Sequence, residues 1–256
     1  MPFYTKNGTE FTLRAEFYTS YSQSSCERKN NIYIASEKIN QTFLDAGHEF
    51  SFNATVGART EKNGFKQAKI IVNGKFVDGI GGGVCQVSTT LYNAVLLAGL
   101  KVTEYHPHSL PVSYVAPSFD AMVNSGYADL KFVNDTNFPI IIKSIATEQT
   151  ITISIYGEKM QEKYARESVI LGEIIAPKEE VLIDENLEYP NLYEGERKVI
   201  NYSKNGYESE GRLIKYIDGK KVSVKKVRKD KYSAVRGLII EGKAKKEEIL
   251  DLETIC

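Results

Sequence analysis

The run Gly79–Leu100, GIGGGVCQVSTTLYNAVLLAGL, contains no charged residue and sets three consecutive glycines directly before a segment of helical period. Val84, Val87, Leu91, Val95 and Ala98 fall on one helical stripe, and Gly99 stands where such a helix stops. The other faces are also nearly apolar, so this helix must be buried and the rest of the chain has to wrap it. The glycines permit a sharp bend and let a second backbone or a ligand come close where a Cβ would obstruct it. Cys85 then stands at the first turn, where unbonded N–H groups and the helix dipole favour the thiolate, the nucleophilic form. The same N–H groups suit an oxyanion formed on a carbonyl attacked by that sulfur. Free cysteine is equally a common core residue, so from this run alone both readings stand. A phosphate loop does not fit, because neither G-x-G-x-x-G nor G-x-x-x-x-G-K-[ST] is matched.

The rest of the 256 residues supplies the wrapping, with room for about two domains. TLRAEFYTSY alternates as a strand, and RKNNIYIASEKINQTFLDAG has helical spacing at Ile32, Ala35, Ile39 and Phe43, with Gly47 as its stop. FKQAKIIVNGKFVDGI reads as a hairpin about Asn73-Gly74. Beyond the buried helix, KVTEYH, PVSYVAP, DAMVN, ADLKFVND, PIIIKSIAT and TITISIYG read as short strands. The expected fold is α+β: a mostly antiparallel sheet packed on a buried helix that carries the cysteine at its N-terminus. That domain is placed at residues 1–160, with the charged segment Glu158–Glu167 as a linker. Residues 161–256 read as a small all-β module with turns at Asn205-Gly206 and Asp218-Gly219, ending in a charged tail.

Composition narrows the functions. Thirty-three basic and thirty-three acidic residues cancel, so nothing draws the whole chain to nucleic acid or to an anionic membrane. No run approaches an integral membrane segment, and Met1–Gln23 lacks the pattern of a signal peptide. Cys26, Cys85 and Cys256 are too few and too far apart for a disulfide framework or a zinc site, so no metal and no cofactor is expected. Cys26 and Cys256 read as surface thiols. Three histidines offer few bases: His48 reads as a surface residue, while His106 and His108 lie about 20 residues beyond the thiol in a strand-like region. Alternation does not choose between those two. Asp120, on the following strand, reads by itself as a strand-end turn or cap, or alternatively as the third member of a triad that fixes an imidazole tautomer.

Taken together, RKNNI, VGARTEKNGFKQA, GIGGGVCQVSTTLYNAVLLAGL, HPHSLPVSYV, DAMV and DLKFVNDTNFPIII resemble the VanW domain family over roughly Leu13 to Ile155. The resemblance implies an envelope protein, mainly of Gram-positive bacteria, outside the cytoplasm. It further implies a cysteine-dependent L,D-transpeptidase that joins stem peptides of peptidoglycan in 3-3 crosslinks through a thioester. By motif position Cys85 is the nucleophile, and His108, the histidine followed by Ser109, is the base. His106 is the second choice, and Asp120 is the orienting carboxylate. The base is expected to titrate near neutrality. Gly82, Gly83, Gln86, Ser88, Thr89 and Ser109 are candidates to hold the donor stem, with capping and helix packing the simpler reading of Gln86, Ser88 and Thr89; Arg28 and Arg59 are candidates to bind a stem carboxylate, with structural ion pairs as the alternative. Ser118 stands where the family usually has glycine. The C-terminal part resembles a family of cell-wall β modules named for five glycines, matching at Gly195, Gly206, Gly219 and Gly242, with Tyr202 where glycine is frequent. Its basic run Lys220–Lys231 faces either an anionic wall polymer or solvent. A hydrolase using the same residues, and a non-catalytic wall-binding protein with a structural Cys85, are the alternatives.

Overall fold

The structure, a computed structural model, describes residues 3–4, 10–72 and 75–245. In chain order it opens with β1 (Phe3–Tyr4), β2 (Glu10–Ser20), α1 (Cys26–Ile39), β3 (Thr42–Leu44), β4 (Glu49–Ser51), α2 (Phe52–Val56), β5 (Gln67–Val72) and β6 (Lys75–Ile80). There follow α3 (Val84–Leu97), β7 (Lys101–Glu104), β8 (Lys131–Val133), β9 (Ile140–Ala146), β10 (Thr150–Gly157) and β11 (Glu162–Ile174). The remaining strands are β12 (Glu180–Ile183), β13 (Arg197–Asn201), β14 (Gly206–Ile217), β15 (Lys220–Tyr232) and β16 (Leu238–Glu241). Mostly antiparallel sheet with few helices is therefore the observed architecture.

Five strands in the order β1-β2-β10-β9-β3 make the main antiparallel sheet, and β4-β8-β7 a smaller one. Alternation along β10 turns Ile151, Ile153 and Ile155 inward, all at 0% exposure. They meet Val87, Leu91 and Val95 of α3 and Ile32, Ala35 and Ile39 of α1 in one core. Each such aliphatic side chain stabilises the fold by about 1.5–3 kcal/mol, which is why α3 carries no charge. The end of α3 is closed by a Schellman motif: Gly99 N–H donates to Leu96 O at 3.1 Å and Leu100 N–H to Val95 O at 3.2 Å. Helix α1 begins at Ser25, whose hydroxyl accepts from the Arg28 N–H at 3.3 Å.

Several local expectations change. Helix α1 stops at Asn40, not Gly47, because Gln41 turns left-handed at φ 58° and Thr42–Leu44 pair with β9. Glu158–Glu167 is not a free linker, since β11 begins at Glu162. PVSYVAP and DAMVN form no strands: Tyr105–Leu130 is irregular apart from one bridge between Asn124 and Ala128. Asn205-Gly206 joins no hairpin, because β13 pairs with β16 while β14 lies between β11 and β15. The Asp218-Gly219 turn does join β14 to β15, with φ of 49° and 74° as a tight two-residue hairpin requires. Strands β5 and β6 pair up to Val72↔Lys75, and the Asn73-Gly74 turn between them lies outside the described residues.

The chain divides into two compact units, and the division is discontinuous where the sequence reading placed a single boundary near residue 160. One unit contains the residues through Leu171 together with Ser209–Asp230. The other contains Gly172–Glu208 and the described residues from Lys231 onward, and in it β16 pairs parallel with β12 and antiparallel with β13. No helix among the described residues is long and apolar enough to cross a membrane.

Candidate active site

Cys85 is the second residue of α3 and is partly exposed. The helix starts where it does because of the two glycines before it. Gly83 caps it at φ 108°, and a Cβ on Gly82 would lie 2.7 Å from Lys69 O. Both glycines are buried and closely packed against neighbouring backbone and side chains. Asn31 of α1, inside the RKNNI motif, fastens this start: its Nδ2 donates to Gly82 O at 3.0 Å and Lys66 O at 2.9 Å, and its Oδ1 accepts from Lys66 N–H at 2.8 Å.

Across from the thiol runs the irregular segment after β7. Cys85 Sγ lies 3.4 Å from Val123 O, and the His108 imidazole lies within hydrogen-bonding and charge range of the thiol. His108 Nδ1 faces Asp120 Oδ2 at 2.7 Å, and the His108 backbone N–H donates to the same oxygen at 2.7 Å. With Nδ1 so engaged, Nε2 is the nitrogen left for the sulfur. His108 and Asp120 are 5% and 1% exposed, and neither sits on a strand. Their segment is held instead by the buried polar face of α3. Ser88 Oγ donates to Ala121 O at 2.6 Å, Thr89 Oγ1 accepts from Ala121 N–H at 2.9 Å, and Asn93 Nδ2 donates to Phe119 O at 2.8 Å.

These bonds engage the polar side chains of the expected donor-binding set within the protein. Ser88 and Thr89 are fully buried, and their hydroxyls orient the Asp120 loop. Gln86 is equally internal: its Nε2 donates to Thr19 Oγ1 at 3.0 Å and Ser20 O at 2.9 Å, while its Oε1 accepts from Arg28 Nη2 at 2.7 Å. Ser109 is exposed. His106 belongs to another cluster, with Nε2 at 3.0 Å from Glu104 Oε1, a carboxylate that Lys131, His106 and the Asp129 N–H together hold down at about 2. His48 is exposed, as is Cys26, and Cys256 lies outside the described residues.

Arg28 and Arg59 both lie near the thiol. Arg28 packs beside Gly83, with Nε donating to Ser24 Oγ at 3.1 Å. Arg59 donates through Nη1 to Ser125 Oγ at 2.9 Å and through Nη2 to Asn53 Oδ1 at 2.5 Å, and its buried Nε has no hydrogen-bond partner. Burial pulls both guanidinium pKa values down, and both lie within charge range of Cys85. Two further residues lie against this group. Tyr114, whose phenol pKa burial pushes far up, lies close to Thr89 and within charge range of Cys85, Arg28 and Asp120. Arg228, from the basic run, reaches Asp120 with Nη2 3.3 Å from Oδ1.

The electrostatics follow from this packing. Burial pushes the Cys85 thiol up, but the hydrogen bond and charge of His108, a backbone hydrogen bond with Val123 and the charge of Arg59 outweigh it, and the net shift is downward. Burial lowers His108, yet Asp120 and Cys85 raise it to about 9, above the near-neutral value expected. Both shifts favour the thiolate–imidazolium form of the pair. Among the described residues no group of three His, Cys, Asp or Glu side chains is placed to hold a metal ion.

The model of the family described as VanW like protein matches residues 27–156, a span that includes Cys85, His108 and Asp120. The uncharacterized protein YoaR of Bacillus subtilis is 39% identical over 142 residues, which cover 56% of this chain and 47% of that protein. The vancomycin B-type resistance protein VanW of Enterococcus faecalis is 27% identical over 134 residues, covering 50% and 49%. The chain thus spans about half the length of these relatives. Among solved structures, the IgA1 protease G5 domain covers 34% of this chain at 22% identity with a TM-score of 0.21, and HP0197-G5 covers 32% at 13% identity with a TM-score of 0.17. With the family model matching half of its residues, the chain belongs to the VanW-like protein family.

Proposed function

We propose that this chain is a cysteine acyltransferase acting on peptidoglycan stem peptides at the cell wall, outside the cytoplasm, as an L,D-transpeptidase. The observation that carries the reading is the grouping of Cys85, His108 and Asp120, with Asp120 Oδ2 2.7 Å from His108 Nδ1 and the imidazole within hydrogen-bonding and charge range of the thiol. A core cysteine would have no use for a buried imidazole backed by a carboxylate. In the first half-reaction the Cys85 thiolate attacks the carbonyl carbon of the donor's third residue, and the C–N bond to the terminal D-alanine breaks. The departing amine takes its proton from the His108 imidazolium. In the second, an acceptor side-chain amine attacks the thioester, the C–S bond breaks, and the amine's surplus proton returns to His108 as the thiolate re-forms.

The oxyanion would be met by the Cys85 amide, whose neighbours Val84 and Gln86 already donate to Gly81 O at 3.1 Å and Gly83 O at 2.9 Å. Arg28 and Arg59 supply positive charge for a stem carboxylate. We assign the exposed lysines of β15, among them Lys220, Lys221 and Lys225, to solvent or to an anionic wall polymer. Membership of a family that includes a vancomycin-resistance protein agrees with a wall substrate.

The test is incubation of the chain with disaccharide tetrapeptides, read by mass. Crosslinked dimers that vanish with C85A are the expected result. Trimmed monomers would show that water, not an amine, resolves the thioester. Full crosslinking by a folded C85A protein would overturn the enzyme reading.

A further inference from the structure

Asp120 is held by more than the domain that the family match covers. Arg228 is 108 residues further along the chain, yet its Nη1 donates to Asp120 O at 2.5 Å and its Nη2 lies 3.3 Å from Asp120 Oδ1. One guanidinium thus grips both the main chain and the carboxylate of the same residue. Its own aim is fixed in turn. Nε donates to Asp230 Oδ2 at 2.6 Å, and the guanidinium carbon lies 4.7 Å from the ring centre of Tyr105 and 5.7 Å from that of Tyr92. The Arg228 side chain is 0% exposed, in a run whose preceding lysines face solvent.

The same hairpin touches the neighbouring residues. Ser209 Oγ lies 2.7 Å from Ser118 Oγ, and a Cβ on Gly211 would lie 2.6 Å from Ser118 O, so β14 can approach only with glycine there. Ser118 itself has φ 61°, the left-handed region that explains a glycine at this position and that a serine must be held into. Three contacts from Ser209–Asp230 therefore converge on Ser118–Asp120, within one compact unit.

We propose that this hairpin is part of the catalytic apparatus and that Arg228 is a positioning residue that fixes the Asp120 carboxylate toward His108, an inference that rests on the reading of Cys85 as nucleophile. The physical ground is desolvation. A carboxylate as buried as Asp120 takes up a proton unless a cation and hydrogen bonds hold it ionised, and a rotated or neutral carboxyl no longer supports the imidazolium that faces the thiolate. The residues matched by the family, 27–156, then lack one member of the working site.

The test follows the rate of iodoacetamide alkylation of Cys85 against pH in the full chain, with Cys26 and Cys256 replaced by serine. In R228M the inflection is expected about one unit higher, so that alkylation below it is about tenfold slower. R228K, which keeps the charge without the fork, recovers part of the shift. V222A, an exposed position on the same strand, superimposes on the parent. A folded R228M whose curve matches the parent or moves to lower pH overturns the proposal. If R228M does not fold, R228K decides, an upward shift supporting the proposal and an unchanged curve overturning it. Alkylation needs no wall substrate. A shifted R228M beside a parent without crosslinking activity would sink the transpeptidase reading alone, and an active parent beside an unshifted R228M would sink the positioning role alone.

Discussion

Replacing Asp120 by asparagine tests the centre of the site through stability, without any substrate. Among the donors that face the carboxylate are the His108 backbone N–H and Nδ1, each 2.7 Å from Oδ2, and Arg228 Nη2, 3.3 Å from Oδ1. Asparagine keeps one acceptor oxygen and turns its NH2 toward either His108 or Arg228, so one buried cation meets a donor. Removing one partner of a buried ion pair costs about 3–5 kcal/mol, and the retained oxygen puts D120N at the low end. A loss of about 3 kcal/mol corresponds to a Tm lower by about 6–12 °C in a chain of this size. The pH dependence has a definite sign. His108 is raised from 6.5 to about 9, so the stabilisation it contributes is complete below 6.5 and is lost as pH rises through about 9. That shift is worth about 3 kcal/mol in all, shared between Asp120 and Cys85. The D120N penalty should therefore shrink by about 1–2 kcal/mol between pH 6 and pH 10. Urea unfolding of parent and variant at each pH measures the difference, and titrations common to both proteins cancel. A penalty that stays constant from pH 6 to pH 10 would refute the claim that Asp120 carries the raised proton affinity of His108.

Two other substitutions test how the site is framed. N31A removes three hydrogen bonds that tie α1 to Gly82 and Lys66, the one to Gly82 fully buried, and a fall of about 3 kcal/mol in unfolding free energy by urea titration is expected. S118G should change the urea midpoint little, because relief of about 1 kcal/mol of left-handed strain offsets about 1 kcal/mol for the lost hydrogen bond to Ser209. S118V, β-branched at the same φ, should lower stability by about 2 kcal/mol or more, and a midpoint equal to the parent's would contradict the strain.

The sequence by itself determined the parts governed by short-range rules. An uncharged helical run behind glycines can only be buried, and β10 alternates as a strand with one face on a core. Cys85, His108 and Asp120 were legible because they stand in short motifs with few competing thiols and imidazoles. What stayed hidden was whatever depends on which polar groups end up away from water. Gln86, Ser88 and Thr89 look like ligands for a substrate when only their position after Cys85 is known, yet burial turns their hydrogen bonds inward. His106 and His108 are equivalent by alternation, and the chain separates them by giving Glu104 to one and Asp120 to the other. Arg228 was least legible of all. Period-2 patterning makes no distinction between an arginine and the lysines beside it, and only the tertiary fold sets Arg228 on Asp120, where a buried carboxylate requires a cation.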